Sequence, residues 1–147
     1  MILICINANY RAHRDHRRHE PNFPFCGARI ESVEIATDGA GGTIGYAVTV
    51  SNSHSFDGNM ILTVDVLKDG TVTGIAFNYL NETPGMGMRC ADSEFINQFI
   101  GVKTDRFILN KAGGSTADNE IDSVSGASTS SGAVVDAVNA ALDFVLN

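Results

Sequence analysis

The stretch Asp122-Ser-Val-Ser-Gly-Ala-Ser-Thr-Ser-Ser131 sets six hydroxyl side chains and a glycine directly ahead of the clearest helical pattern in the chain. Over residues 132–146, Val134, Val138, Leu142 and Val145 recur at three-and-four spacing with Val135 and Ala141 beside them, while Asp136, Asn139 and Asp143 fall off that stripe. A hydroxyl-rich turn therefore feeds a helix N-terminus, where unpaired backbone N–H groups and about half a unit of positive charge favour an anion such as phosphate. Gly126 lets the backbone come close to such a group. Any one of Ser125, Ser128, Thr129, Ser130 or Ser131 suffices as a helix cap. The surplus points to something anionic held or attached at the turn.

A second interruption lies upstream, at Glu82-Thr83-Pro84-Gly85-Met86-Gly87-Met88. Pro84-Gly85 sets a turn and Gly87 removes a side chain, so the backbone can approach a flat ligand. Met86 and Met88 are soft and polarizable, suited either to a core or to the face of an aromatic ring system.

Before this loop the pattern has a period of two. Ile44, Tyr46, Val48 and Val50 alternate with Thr43, Gly45, Ala47 and Thr49, and residues 30–37, 60–67 and 71–79 read as further strands. Asp69-Gly70 is a hairpin signal, and Phe56-Asp57-Gly58 is a turn. After it, residues 92–100 read as a helix ended by Gly101, residues 106–109 as a short strand, and residues 111–120 as a polar loop. Strands first and helices afterwards predict an α+β fold, with an antiparallel sheet of four to five strands packed against two or more helices.

At 147 residues, with 44% hydrophobic and 18% charged residues, the chain has the makings of one globular domain with its own core. A net charge of -7, with Arg11, Arg14, Arg17 and Arg18 supplying four of the ten basic residues, excludes the basic stripe that a nucleic-acid interface needs. Those arginines alternate with His13, His16 and His19 without an apolar stripe, which reads as a solvated tail. The apolar run at residues 1–6 is far shorter than the roughly 20 residues of a membrane span. It also precedes the basic residues, the reverse of a secretory signal. Cys5, Cys26 and Cys90 form no C-x-x-C or zinc spacing, so neither disulfide nor metal is assigned. The expected layout is a poorly defined tail over residues 1–28 and a folded domain over 29–147.

The motif Asp122-x-x-Ser125-Gly126-Ala127-Ser128, followed by Ser130-Ser131 and an Ala/Val-rich helix, resembles the flavinylation motif of the FMN-binding domain family. Glu82-Thr83-Pro84-Gly85-Met86-Gly87 resembles that family's second hallmark. The likeness runs from about Gly41 to Val145 and takes in Gly42-x-Ile44-Gly45-Tyr46, Asp69-Gly70-x-Val72-x-Gly74 and Asp118-Asn119-Glu120-Ile121-Asp122. It implies that a magnesium-dependent flavin transferase esterifies the phosphate of FMN to the hydroxyl of Ser128. Ser128 and Ser130 stand where the family's motif has threonine, and serine forms the same phosphoester. Ser125, Gly126, Ala127, Thr129 and Ser130 then surround the phosphate. Thr83, Pro84, Gly85 and Met86 flank the isoalloxazine ring, with Glu82 at its edge, and Asp122 either braces the turn or is read by the transferase.

Within the family the likeness is to flavin-carrying subunits of ion-translocating ferredoxin:NAD and NADH:quinone oxidoreductases, which commonly begin with a membrane-spanning helix. It implies an electron relay within a larger membrane complex, on the extracytoplasmic face of a bacterial plasma membrane, with the other redox subunits as partners. No nucleophile and base pair suggests a stand-alone catalyst. The alternative is a module binding flavin or another small ligand without a covalent bond.

Overall fold

Alternation of β-branched with polar residues builds a five-stranded, wholly antiparallel sheet in the order β1-β2-β3-β4-β5. The structure, a computed structural model, describes residues 3–6 and 27–147. The strands are β1 (Leu3–Ile6), β2 (Ala28–Thr37), β3 (Thr43–Ser55), β4 (Gly58–Leu67) and β5 (Val72–Leu80). Val48 stands opposite Val33 and Val64, and Val50 opposite Ile30 and Leu62, so the inward positions stack into one apolar face. The outward face is polar: Thr49 and Thr63 share a hydrogen bond of 2.9 Å, and Thr63 donates to Asn78 at 2.8 Å. A sheet with one covered and one polar face is the usual antiparallel arrangement.

The hairpin at Asp69-Gly70 forms as its residues predict. Gly70 takes φ +89°, and the Leu67 N–H reaches the Thr71 carbonyl at 2.9 Å. At the other edge, residues 3–6 of the expected tail pair with β2 as a strand. The Arg/His cluster lies outside the described residues.

The first helix is much shorter than its sequence pattern. Helix α1 covers only Ser93–Ile96, behind a 3-10 turn at Gly87–Ala91. Beyond Ile96 the backbone tightens, with Gln98 N–H bonding to Phe95 O at 3.3 Å and Phe99 N–H to Ile96 O at 3.0 Å. The Gly101 N–H then joins Val72 O at 2.8 Å, tying the segment to the sheet edge. Phe95, Phe99 and Phe107 stack edge-on at 5.6 and 5.0 Å and seal this end of the core.

Helix α2 runs from Ser128 to Leu146 and starts four residues before its apolar pattern begins. It packs across β3, with Val134, Val138, Ala141 and Leu142 fully buried. Burying a side chain the size of Leu142 contributes about 1.5–3 kcal/mol. Asn139 departs from its expected place off the stripe. It is buried at 2% exposure, accepts the Phe107 N–H at 2.8 Å and donates to Phe107 O at 2.9 Å. Those bonds hold the chain just ahead of β6 (Ile108–Asn110), which pairs in parallel with β7 (Glu120–Asp122). The expected strand at 106–109 is thus shifted. Strand β7 leaves no mark in the sequence pattern, because three residues are too few to show an alternation.

Candidate functional site: two loops at the start of the last helix

The hydroxyl cluster divides into three kinds of residue. Ala127, at φ -133° and ψ 42°, occupies the N-cap position of α2 and no side chain caps the helix, so the capping role open to each hydroxyl falls to none. Ser131 acts as an internal stitch, accepting the Val124 N–H at 3.0 Å and donating to Ala127 O at 2.8 Å. Ser130 is 1% exposed, and its hydroxyl has no hydrogen-bond partner among the described residues. Ser125, Ser128 and Thr129 face solvent. Gly126 turns the chain into the helix with φ +76°, a backbone region that L side chains disfavour.

The loop of residues 82–88 lies directly against this turn. A Cβ added at Gly126 would stand 3.1 Å from Met86 Cε. One added at Gly87 would stand 2.6 Å from Glu82 Oε2 and 2.9 Å from Ser130 Oγ, so only glycine permits this approach. Glu82 is 6% exposed, and neither of its carboxylate oxygens has a hydrogen-bond partner among the described residues. A buried carboxylate without a partner is expensive and calls for one. Above it, Pro84, Gly85, Met86 and Met88 form an exposed bend. Thr83 fastens the bend to the β3–β4 turn by donating to Asp57 Oδ2 at 2.9 Å.

Three amide side chains that the sequence pattern does not single out hold the site in place. Gln98 accepts the Asp122 N–H at 2.7 Å and donates to Asp122 O at 3.1 Å, pairing with the backbone as a strand would. Asn52 donates to Ala133 O at 3.0 Å and so pins the first turns of α2 to β3. Asn139 does the same for the chain at Phe107. Asp122 accepts N–H bonds from Gly114 (3.3 Å) and Ser115 (3.0 Å) and the Ser115 hydroxyl (2.5 Å), bracing the preceding loop rather than the flavinylation-like turn itself. The Ser115 hydroxyl bond holds its carboxyl below the usual carboxylate range, with the two N–H bonds adding to it. A depressed folded pKa adds stability above the unfolded value and loses it as pH falls, so this brace is intact at neutral pH and fails only in acid.

Cys90 lies under the same loops, fully buried with its sulfur 3.8 Å from the Ser131 hydroxyl. Burial pushes its thiol up to about 11, and the Glu82 and Asp92 charges add to the rise against the hydroxyl contact. At neutral pH the thiolate is therefore scarce. Iodoacetamide at pH 7.5 is expected to leave Cys90 unmodified in the folded chain and to label it after denaturation. Peptide mass mapping checks this, and rapid labelling of Cys90 in the native state would contradict it.

On the other side of Ser128, a cleft of about 360 Å³ runs along the first turns of α2. Ser128, Thr129 and Gly132 form one wall and the segment from Arg106 to Lys111 the other. His54 and Asp136 also line it. Burial raises the Asp136 pKa, and the Arg106 and His54 charges pull it back. No cluster of metal-ligating side chains occurs among the described residues.

An uncapped helix start, a partnerless buried carboxylate and two loops in contact make this an α+β cofactor-binding domain. The chain belongs to the FMN-binding domain family, whose sequence profile matches residues 55–143. It is similar to the G subunit of the ion-translocating oxidoreductase complex of Methanosarcina acetivorans, with 36% identity over 109 residues, covering 74% of this chain and 55% of the relative. It is also similar to the G subunit of the Na(+)-translocating ferredoxin:NAD(+) oxidoreductase complex of Acetobacterium woodii (29% identity, 73% of this chain, 52% of the relative). The proton-translocating counterpart from Clostridium ljungdahlii is 33% identical over 70% of this chain and 54% of its own length. The chain thus spans about half the length of the curated relatives it matches. The crystal structure of Shewanella oneidensis NqrC shares the fold, with a TM-score of 0.60 and 21% identity over 74% of this chain and 53% of that one.

The residues present fit FMN. Exposed hydroxyls at an uncapped N-terminus suit its phosphate, the methionine-faced bend suits a flat ring, and the Glu82 carboxylate suits an N–H donor.

Proposed function

We propose that this chain is a covalent-FMN electron-transfer subunit of a membrane-bound, ion-translocating oxidoreductase complex, with FMN held by a phosphoester to Ser128. The observation that carries the reading is the contact between the two loops. Met86 meets Gly126 and Gly87 meets Ser130, so a group fixed at Ser128 lies within reach of the Pro84-Gly85 bend. Bound flavin supplies one- and two-electron redox chemistry, and the protein supplies position and surroundings.

In this reading Ser128 is the attachment point, and Ser125, Gly126, Ala127, Thr129 and Ser130 surround the phosphate. Thr83, Pro84, Gly85 and Met86 flank the ring, Glu82 accepts a hydrogen bond at its edge, and Asp122 holds the approach to the motif. The partners are the other subunits of the complex and a flavin transferase that matures the chain. The names of the relatives support membership of a complex. The domain sits on the extracytoplasmic face of the membrane, beside those subunits. No helix among the described residues is long and apolar enough to cross a membrane.

Co-expression with a flavin transferase tests the proposal. The denatured chain is expected to stay yellow and to weigh more by one FMN residue. Flavin released on denaturation would instead mark non-covalent binding, and a chain that binds none would end the reading.

A further inference from the structure

The cleft beside Ser128 is assigned no role by either motif, and its charge is unlike that of the rest of the molecule. The chain carries a net charge of -7, yet Arg106 and Lys111 stand on one wall of a cavity whose other wall begins with Ser128 and Thr129. Arg29, Arg89 and Lys103 are taken up in surface ion pairs with Glu31, Asp92 and Asp69, whereas Lys111, like Lys68, has no ion-pair partner among the described residues. His54 also lines the cavity. Among the described residues Asp136 is the one carboxylate lining the cavity, set against the Arg106 and His54 charges. Gly132, one turn beyond Ser128, also lines the cavity. At the mouth, the uncapped N-terminus of α2 adds its own positive potential.

We infer that this cleft is the phosphate seat: Arg106 and Lys111 are the counter-charges of a phosphate diester placed at Ser128, while the polyol chain leaves the cleft toward the Pro84-Gly85 bend. This rests on the attachment reading above but names residues outside both motifs. A phosphate esterified to Ser128 keeps a negative charge, and two cations lining the same cavity hold it more firmly than an exposed hydroxyl turn alone. The pair acts as positioning residues, through the phosphate and not on the ring.

The test compares the parent chain with Lys111→Gln, Arg106→Gln and a distant control, Lys68→Gln, each co-expressed with a flavin transferase and weighed after denaturation. Two readouts follow on folded protein: the phosphorus NMR shift of the ester and its rate of release by an added phosphodiesterase. In the two cleft variants the shift is expected to move. Release is expected to quicken about threefold to fivefold for each cation removed, the scale of a partly exposed charge contact. Slower incorporation of flavin in those variants, with native circular dichroism, supports the same seat acting during attachment. The control is expected to match the parent in every readout. Unchanged incorporation, shift and release in both cleft variants would overturn the assignment while leaving attachment at Ser128 intact. Absence of an adduct from the parent chain would instead remove the attachment reading, and this inference with it.

Discussion

Replacing Ser128 by alanine is expected to remove the whole FMN mass from a chain matured by flavin transferase, an all-or-none effect. The transferase needs a hydroxyl it can reach, and the fold leaves three in this turn, Ser125, Ser128 and Thr129. Ser130 and Ser131 are buried, and Ser131 is committed to Val124 and Ala127. Among the exposed three, Ser128 holds the position that follows Gly126-Ala127 in the motif. It caps nothing, so the alanine variant is expected to fold with its stability changed by less than about 0.5 kcal/mol. A missing adduct then reports lost chemistry and not lost structure. Ser128→Thr is expected to carry the adduct in full. The same mass on the alanine variant, mapped to Ser125 or Thr129, would move the attachment point.

Asn139→Ala is expected to destabilise the domain by about 3 kcal/mol, because both halves of the amide serve buried backbone. The Phe107 N–H and carbonyl, bonded at 2.8 and 2.9 Å, would each be left without a partner, at a cost of about 1–3 kcal/mol apiece. For a domain of this size the melting point should fall by about 10 °C. Urea unfolding measures the loss directly, and a change below about 1 kcal/mol would mean that water replaces both bonds. The damage should also reach the cleft, since Asn139 fixes the wall that carries Arg106.

Strand periodicity and the Asp69-Gly70 turn make the sheet legible, because a half-buried antiparallel strand writes its two faces into alternate residues. Helix α2 is legible from Gly132 onward, where burial imposes the stripe. Its first turn is not, because hydroxyls serve a turn and a helix start equally well. The helix expected at residues 92–100 fails for a tertiary reason: Gln98 is drawn away to Asp122, and Gly101 is claimed by the sheet edge. Asn52, Gln98 and Asn139 are hidden because an amide met in a sequence is usually a solvated side chain. An amide beside an apolar stripe, as Asn139 is, is the one available signal. The proximity of the two loops lies beyond any local pattern, since some forty residues separate Gly87 from Ser128. The cleft cations are equally hidden, as their neighbours across the cavity come from a helix and a distant strand end.

The bare start of α2 gives the chain two grades of durability. Until an anion arrives, no side chain caps the first N–H groups of that helix, which makes the turn before it a place where local opening costs little. A bound phosphate shifts that balance by mass action, so loading and persistence rise together. Limited digestion should therefore cut a chain still awaiting its flavin near residues 125–131 and spare the finished one, which would let a cell's proteases act as proofreaders of maturation.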